Sequence, residues 1–394
     1  LNTSLKAPQD SYQGKKTKLI FLITEDWFFC SHFIDRAKAA LEAGYDVSVI
    51  TNVTNLGNQI AETGIRIIPL NMDRRSINPL STAKTLIKLI RIYAKERPDI
   101  VHHVALKPIL LGGVAAILTK LKSVVNAVVG GGYTFTSNKL SARLLRYPVT
   151  VGLRLTMNRK TCCTIFENPD DLAFFVESGI VKQQNTRLIR GSGVDLLKHR
   201  MASFSTEVPT VVMAARLLWD KGLGELVEAA EILKAQKNLN VRFIVYGNHD
   251  PDNRSAVSKG VLESWKKDGF VEFPGFCDDI TEALAESTIA CLPSYREGLP
   301  KFLLEAMATG LPCVTTDVPG CREAVTHQTN GLLVPSKDPQ ALANALEILL
   351  ENPKLCKSMG QAGRLRVERE FSNEKVIEET FTVYDELNSR SYVS

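Results

Sequence analysis

Glu297 and Glu305 stand in the stretch Cys291-Leu-Pro-Ser-Tyr-Arg-Glu-Gly-Leu-Pro-Lys-Phe-Leu-Leu-Glu305. An apolar run before the first and a helical pattern across the second place Glu297 in a strand-to-helix loop and Glu305 about two turns inside the helix. Pro300 suits a first helical position, so Glu297–Gly298–Leu299–Pro300 opens that helix and Lys301 continues it. A helix N-terminus presents N–H groups and positive dipole, a site suited to an anion such as a diphosphate. A carboxylate further in could accept paired hydroxyls, such as those of a ribose. Arg216 and Lys221 fall in another strand-to-helix loop, where two cations could clamp a diphosphate and offset charge growing on a leaving group. Gly320 with Glu323 belongs to a third such loop. Taken singly, each of these residues could as well be a solvated or capping side chain.

The elements that must position them alternate between strand and helix. In the first half, strands are expected at Lys18–Thr24, Asp46–Thr51, Arg66–Leu70, Asp99–His103, Val124–Val129, Cys162–Phe166 and Thr186–Ile189. Helices are expected at Phe33–Ala43, Thr82–Glu96 and Leu110–Lys122. The pattern pauses over 191–209 and restarts. Strands follow at Thr210–Ala214, Val241–Tyr246, Val271–Pro274, Ile289–Pro293 and Pro312–Thr316. Between them lie helices at Leu223–Gln236, Ser255–Asp268, Asp279–Glu286, Pro300–Ala308 and Arg322–Val325. Pro339–Leu350, Pro353–Glu370 and Lys375–Asn388 close the chain as helices. The reading is α/β, with two Rossmann-like, doubly wound parallel-sheet domains and ligands at the carboxyl ends of the strands.

Length and composition agree. The chain has 394 residues, 44% hydrophobic and 23% charged, enough for two domains and unlike disordered, collagenous or coiled-coil sequences. The longest nearly unbroken apolar stretch, Ile109–Leu118, is far short of the ~20 residues of a membrane-spanning helix. Leu1–Lys16 reads as a polar lead-in without a signal-peptide pattern. Eight cysteines occur without a C-x-x-C pair, which points to reduced thiols and a cytoplasmic setting.

Charge is uneven. Residues 1–190 hold 26 Lys and Arg against 14 Asp and Glu, whereas residues 191–394 hold 22 against 29. A basic half suits an anionic surface or substrate. Lys84, Lys88, Arg91 and Lys95 share one helix face. Lys139, Arg143, Arg146, Arg154, Arg159 and Lys160 are interleaved with Leu144, Leu145, Tyr147, Val149, Leu153 and Leu155. Each cluster is either a solvated face or a site resting on anionic lipid headgroups. No nucleic-acid module accompanies the charge, so nucleic acid is not an expected partner.

Several motifs then converge. Ala215-Arg-Leu-Leu-Trp-Asp-Lys-Gly222, the Glu297/Glu305 pair, Glu305-Ala-Met-Ala-Thr-Gly-Leu-Pro312, Pro319-Gly-Cys-Arg-Glu323 and Gly331-Leu-Leu-Val-Pro335 resemble the retaining glycosyltransferases of family 4. In the first half Asp26-Trp-Phe-Phe-Cys-Ser-His32, Asp99-Ile-Val-His102, Asn126-Ala-Val-Val-Gly-Gly-Gly-Tyr133 and Arg190-Gly-Ser-Gly-Val-Asp195 agree. The likeness is greatest to the bacterial subgroup that extends sugars on a polyprenyl-diphosphate carrier. It implies the GT-B architecture, two domains facing across a cleft: residues 1–199 for the acceptor and 200–374 for the nucleotide sugar, with a last helix, 375–394, crossing back to the first. It implies that Glu297 contacts the donor sugar, Glu305 holds the ribose, and Arg216 and Lys221 hold the diphosphate. Backbone N–H groups over Gly298, Leu299, Pro300 and Lys301 would approach sugar and phosphate, with Gly275 and Phe276 bordering the base. The donor is expected to be a UDP-sugar. Beyond that donor no cofactor and no metal is expected, and a polyprenyl-diphosphate-linked acceptor would be met at the inner face of the cytoplasmic membrane.

On the acceptor side the candidates are Trp27, His32, Gly131 and Tyr133. One departure stands out: Gly130, Gly131 and Gly132 occupy the place where many members carry a histidine, leaving room for a bulkier ligand. His102 and His103 are secondary candidates at a strand end, while His199, His249 and His327 read as surface residues. Asp250-Pro-Asp252 looks like a metal-binding D-x-D but sits in a turn-rich loop. Three rivals remain. A dinucleotide-dependent oxidoreductase would need G-x-G-x-x-G after an early strand, and Lys18–Ser31 contains no glycine. A non-catalytic nucleotide-sugar-binding protein would show no turnover, and a sugar-nucleotide epimerase of the same fold would need no acceptor.

Overall fold

Leu19, Phe21 and Ile23 alternate with Ile20 and Leu22 along strand β1 (Lys18–Glu25), and the two sets are buried in different apolar clusters. A strand apolar on both faces requires cover on both. In the computed structural model, which describes residues 16–73, 78–130, 140–201, 208–251 and 253–392, that cover is helical. The Leu19 set meets the helix Ile34–Glu42 and the C-terminal helix Asn373–Tyr392, through Phe33, Ala37, Tyr384 and Leu387. The Ile20 set meets the helices Pro79–Glu96 and Leu106–Leu118 through Leu89, Tyr93, Leu111 and Ala115.

The chain divides into two units, Leu1–Ser192 with Asn373–Ser394, and Gly193–Ser372. The first unit adds β2 (Asp46–Asn52), β3 (Arg66–Pro69), β4 (Ile100–Val104), β5 (Ser123–Val128), β6 (Cys162–Phe166) and β7 (Thr186–Leu188). Its sheet runs β3-β2-β1-β4-β5-β6-β7 with every pairing parallel. The second unit contains β8 (Thr210–Ala214), β9 (Arg242–Tyr246), β10 (Glu272–Gly275), β11 (Ile289–Leu292), β12 (Cys313–Thr316) and β13 (Gly331–Val334). They pair in parallel in the order β10-β9-β8-β11-β12-β13. Both orders are doubly wound, as the alternating pattern implied. Several helices begin with Asn or Asp followed by Pro. Asn78, Asn168, Asp338 and Asn352 each accept a backbone N–H of the first turn, the capping such side chains provide.

Some expectations change. The unit boundary falls at Ser192/Gly193 rather than 199/200, so Asp195 to Arg200 belong with the second unit, tied there by the Val194–Ser372 bridge. The segment following β1, expected as a loop, is the helix Asp26–His32. Leu140–Met157, noticed only as a charge cluster, is a helix with Pro148 inside it. Pro300 is the N-cap, with φ −72° and ψ 110°, and the helix runs Lys301–Ala308. His102 and His103 do not reach an open strand end. Their neighbouring positions on β4 send them to opposite faces, where both are fully buried. His102 Nδ1 lies 2.7 Å from Tyr384 Oη, and His103 lies 3.0 Å from both Tyr93 Oη and Asn126 Oδ1.

Candidate active site

In the second unit all strands are parallel, so the loops after β8, β11 and β12 leave one edge of the sheet. Strand order reverses between β8 and β11, which is where open α/β sheets bind ligands. Lys221 follows β8 and Glu297 follows β11, and they meet there, Nζ to Oε1 at 2.5 Å. Ser294 Oγ donates to the same carboxylate oxygen at 2.6 Å. The surrounding backbone is interlocked. Tyr295 N–H donates to Asp220 O at 2.9 Å, and Glu297 N–H to Pro319 O at 3.2 Å. Close approach is why two glycines are required. A Cβ on Gly222 would lie 2.1 Å from Pro293 O, and one on Gly320 would lie 2.4 Å from Gly298 O. Both have φ above +70°, a region that penalises other residues.

Glu305 lies in the Lys301–Ala308 helix. Lys301 Nζ approaches its Oε1 to 3.5 Å, and His199 Nε2 to 4.0 Å. Burial raises the Glu305 carboxyl above its ordinary range, against the opposing pull of Lys301. His199, read from the sequence as a surface residue, is 3% exposed. Burial first, then the charges of Lys198 and Lys301, push its imidazole down to about 4. No local pattern flags it, because its side chain meets Thr309 and Glu305, more than a hundred residues away. The helix has no side-chain cap at Pro300.

Arg216 is held elsewhere. Its Nη1 donates to Asp250 Oδ2 at 3.0 Å, so the first aspartate of Asp250-Pro-Asp252 serves as a partner for a cation. Asp252 lies outside the described residues. Among the described residues, no group of three or more His, Cys, Asp or Glu could hold a metal ion. Gly275 closes β10 with φ +102°, and Phe276 beside it is 62% exposed. His249 is half-buried, with Nε2 3.0 Å from Val257 O, and His327 is exposed.

The acceptor-side candidates belong to the first unit. Trp27 is exposed on the helix after β1, and His32, half-buried at its end, stacks on Phe28 with ring centroids 4.2 Å apart. Asp26 fixes this corner. Fully buried, it accepts from the N–H groups of Trp27, Thr54 and Leu56 and from the Thr54 hydroxyl. Burial pushes its carboxyl up, and those bonds together outweigh it and hold it below the ordinary value. Gly131, Gly132 and Tyr133 lie outside the described residues.

Two family models match the chain, one described as glycosyl transferases group 1 over residues 198–366 and one as glycosyl transferase 4-like over residues 18–164. The chain is 29% identical to the N,N'-diacetylbacillosaminyl-diphospho-undecaprenol alpha-1,3-N-acetylgalactosaminyltransferase of Campylobacter jejuni, over 81% of this chain and 85% of that one. It is 25% identical to the Escherichia coli UDP-Gal:alpha-D-GlcNAc-diphosphoundecaprenol alpha-1,3-galactosyltransferase, over 87% and 89%. The crystal structure of Anabaena HepE in complex with UDP-glucose superposes with a TM-score of 0.74 at 18% identity, covering 94% of this chain and 99% of that one.

Proposed function

Since the chain belongs to the family 4 glycosyltransferases of GT-B fold, we propose that it moves a hexose or N-acetylhexosamine from a UDP-sugar to a saccharide carried on a polyprenyl diphosphate, in surface-glycan or glycoprotein-glycan assembly. The Lys221–Glu297 pair at the strand-order reversal carries this reading, because it sets a cation and a hydroxyl-binding carboxylate side by side. The donor diphosphate draws Lys221, which frees Glu297 for the sugar hydroxyls. Arg216, held by Asp250, adds positive charge along the same strand edge, and the Lys301–Ala308 N-terminus adds its dipole. Glu305 takes the ribose and Phe276 borders the base.

Transfer proceeds with retention and without a metal. The bond between the anomeric carbon and the diphosphate oxygen breaks while the acceptor oxygen bonds to that carbon from the same face. The acceptor proton passes to the departing phosphate oxygen. Charge growing on that phosphate is stabilised by Lys221, which the Glu297 pair holds at the strand edge until the donor arrives. A product linkage that matches an α-linked donor is retention, and the α-1,3 linkages in the names of both relatives support it here. The acceptor binds the first unit near Trp27 and His32.

The lipid carrier brings the enzyme to an anionic membrane surface, at the cytoplasmic face. On the helix Pro79–Glu96, Lys84, Lys88, Arg91 and Lys95 are all exposed, and Leu80 (75%) and Ile87 (48%) stand out beside them. Cations next to outward apolar side chains suit shallow docking on headgroups. The second basic cluster is partly tied to the protein's own backbone. Arg154 is turned onto the carbonyls of Ser178 and Gly179, and Arg159 onto that of Leu121. Its helix still exposes Tyr147 and Leu155. No described helix is long and apolar enough to cross a membrane. The deciding experiment is a panel of nucleotide sugars, scored for released nucleotide with and without a polyprenyl-diphosphate-linked saccharide. Acceptor-dependent release from a UDP-sugar supports the reading. Interconversion of the donor without acceptor, or no turnover with any donor, refutes it.

A further inference from the structure

His199 is fixed more firmly than a loop residue needs to be. Its N–H donates to Asp195 O at 3.2 Å, and Asp195 Oδ1 in turn accepts from Leu197 and Lys198. Its carbonyl accepts from Arg364 Nη1 at 2.6 Å, and the same nitrogen holds Ala308 O at 2.5 Å. One guanidinium therefore locks the 195–199 turn to the end of the helix that carries Glu305.

The imidazole's orientation follows from Thr309. Its hydroxyl donates to the Glu305 carbonyl at 2.9 Å, so its only hydrogen is used. Toward His199 Nδ1, 3.4 Å away, Thr309 Oγ1 can only accept. Nδ1 then carries the proton, and Nε2 turns a lone pair toward the same space as the Glu305 carboxylate. At 4.0 Å those two atoms are too far apart to bond each other. Lys301 supplies Glu305 with a cation at 3.5 Å, and Lys198 is engaged by Asp279 at 3.2 Å. Two fixed acceptors converge at a spacing that neighbouring hydroxyls can bridge.

We infer that His199 is a second ribose-binding residue: Nε2 accepts one hydroxyl of the donor's vicinal diol while Glu305 accepts the other, so the pair selects a ribonucleotide over a deoxyribonucleotide. This rests on the reading of Glu305 as the ribose site. The imidazole stays neutral at ordinary pH because burial and the charges of Lys198 and Lys301, opposed by Asp279 and Asp195, hold it near 4. The lone pair is therefore present whenever the protein is folded at neutral pH.

The test measures binding of UDP, 2′-deoxy-UDP and 3′-deoxy-UDP by calorimetry, to the parent protein, to His199→Phe and to His199→Gln. Phe fills the volume without an acceptor, whereas Gln keeps an acceptor oxygen and the better chance of folding. The parent should prefer UDP over both deoxy forms by about tenfold or more, the effect of one buried hydrogen bond left unmade. His199→Phe should lose about tenfold for UDP and lose discrimination at one hydroxyl only, with the matching deoxy-UDP bound as the parent binds it. His199→Gln should restore part of the preference. An unchanged preference pattern in His199→Phe, or in the acceptor-free His199→Leu should Phe not fold, overturns the inference while leaving the donor reading intact. Failure of the parent to bind UDP at all overturns both.

Discussion

Lys221→Met deletes the cation of the Lys221–Glu297 pair and keeps most of its stem. Two separable effects follow. For folding, the loss is one charge-assisted bond of 2.5 Å between side chains 20% and 12% exposed. Such a bond contributes roughly 1.5–3 kcal/mol. Glu297 keeps Ser294 Oγ at 2.6 Å, and both ends retain some water, so the cost falls to about 1–2 kcal/mol. The melting temperature should drop by roughly 2–8 °C. For transfer, the proposed role of Lys221 is to meet the charge that develops on the phosphate, and removing one such group costs ~2.7–4 kcal/mol, about 10²–10³-fold in turnover. The assay is release of UDP at saturating donor and lipid-linked acceptor, well below the melting temperature. Lys221→Arg should recover only part of the rate, because a planar guanidinium cannot take the ammonium's position. Turnover within about threefold of the parent in Lys221→Met would refute the reasoning and leave Lys221 as a structural partner of Glu297.

Four further outcomes are expected. Burial holds His103 at about 4 and His102 well below its ordinary value, so below pH 6.5 the unfolded chain binds protons that the folded chain refuses. Stability is full above that value and is lost as pH falls toward 4, by roughly 3 kcal/mol from His103; urea unfolding at pH 7 and 5 reads the sign, and His103→Gln should flatten the dependence. Gly320→Ala puts a methyl 2.4 Å from Gly298 O at φ +81°, so it should shift the Glu297 loop and cut turnover by about tenfold or more, as steady-state assays would show. Replacing Lys84, Lys88, Arg91 and Lys95 by Glu should abolish salt-sensitive sedimentation with anionic vesicles, at ~1 kcal/mol per cation, while leaving turnover on a detergent-dispersed acceptor unchanged. Activity should survive EDTA, and its loss in chelator with recovery in magnesium would disprove metal independence.

The sheets were legible except for the edge strand Gly331–Val334, because short Val-, Ile- and Leu-rich runs separated by helical spacings admit little else, whereas four residues opened by a glycine give no such run. The placing of Lys221 after β8, Glu297 after β11 and Glu305 within a helix was legible, because loop position and residue type coincide with a family pattern. What escaped depends on contacts far apart in the chain. His199 looks like a polar loop residue until Arg364 draws its turn onto the helix end, from 165 positions away. The Arg216–Asp250 pair joins loops after two different strands. Leu140–Met157 carries Pro148, a helix breaker in sequence terms, and its exposed Tyr147 and Leu155 blur the apolar stripe. The helix Asp26–His32 has no capping side chain at Glu25 to announce it. Its start is set instead by Asp26, whose carboxylate is saturated by Thr54 and Leu56 from the far side of β2.

The C-terminal helix brings a question of timing. His102 Nδ1 pairs with Tyr384 Oη, and Val376, Phe381, Val383 and Leu387 fill the cluster beneath β1. Those residues leave the ribosome after the whole of Gly193–Ser372 has been made. At ~5–20 residues per second, that interval lasts roughly 10–40 s. Throughout it that face of the nascent first sheet has the helix Ile34–Glu42 but not the C-terminal one, and Tyr45 lacks Phe381 and Tyr384, which later pack against it. Synthesis thus finishes the second unit's core before the first can close. A fragment ending at residue 192 would keep that greasy face permanently, so it should pellet or remain with a holding chaperone, whereas adding the peptide 373–394 in trans offers the missing layer.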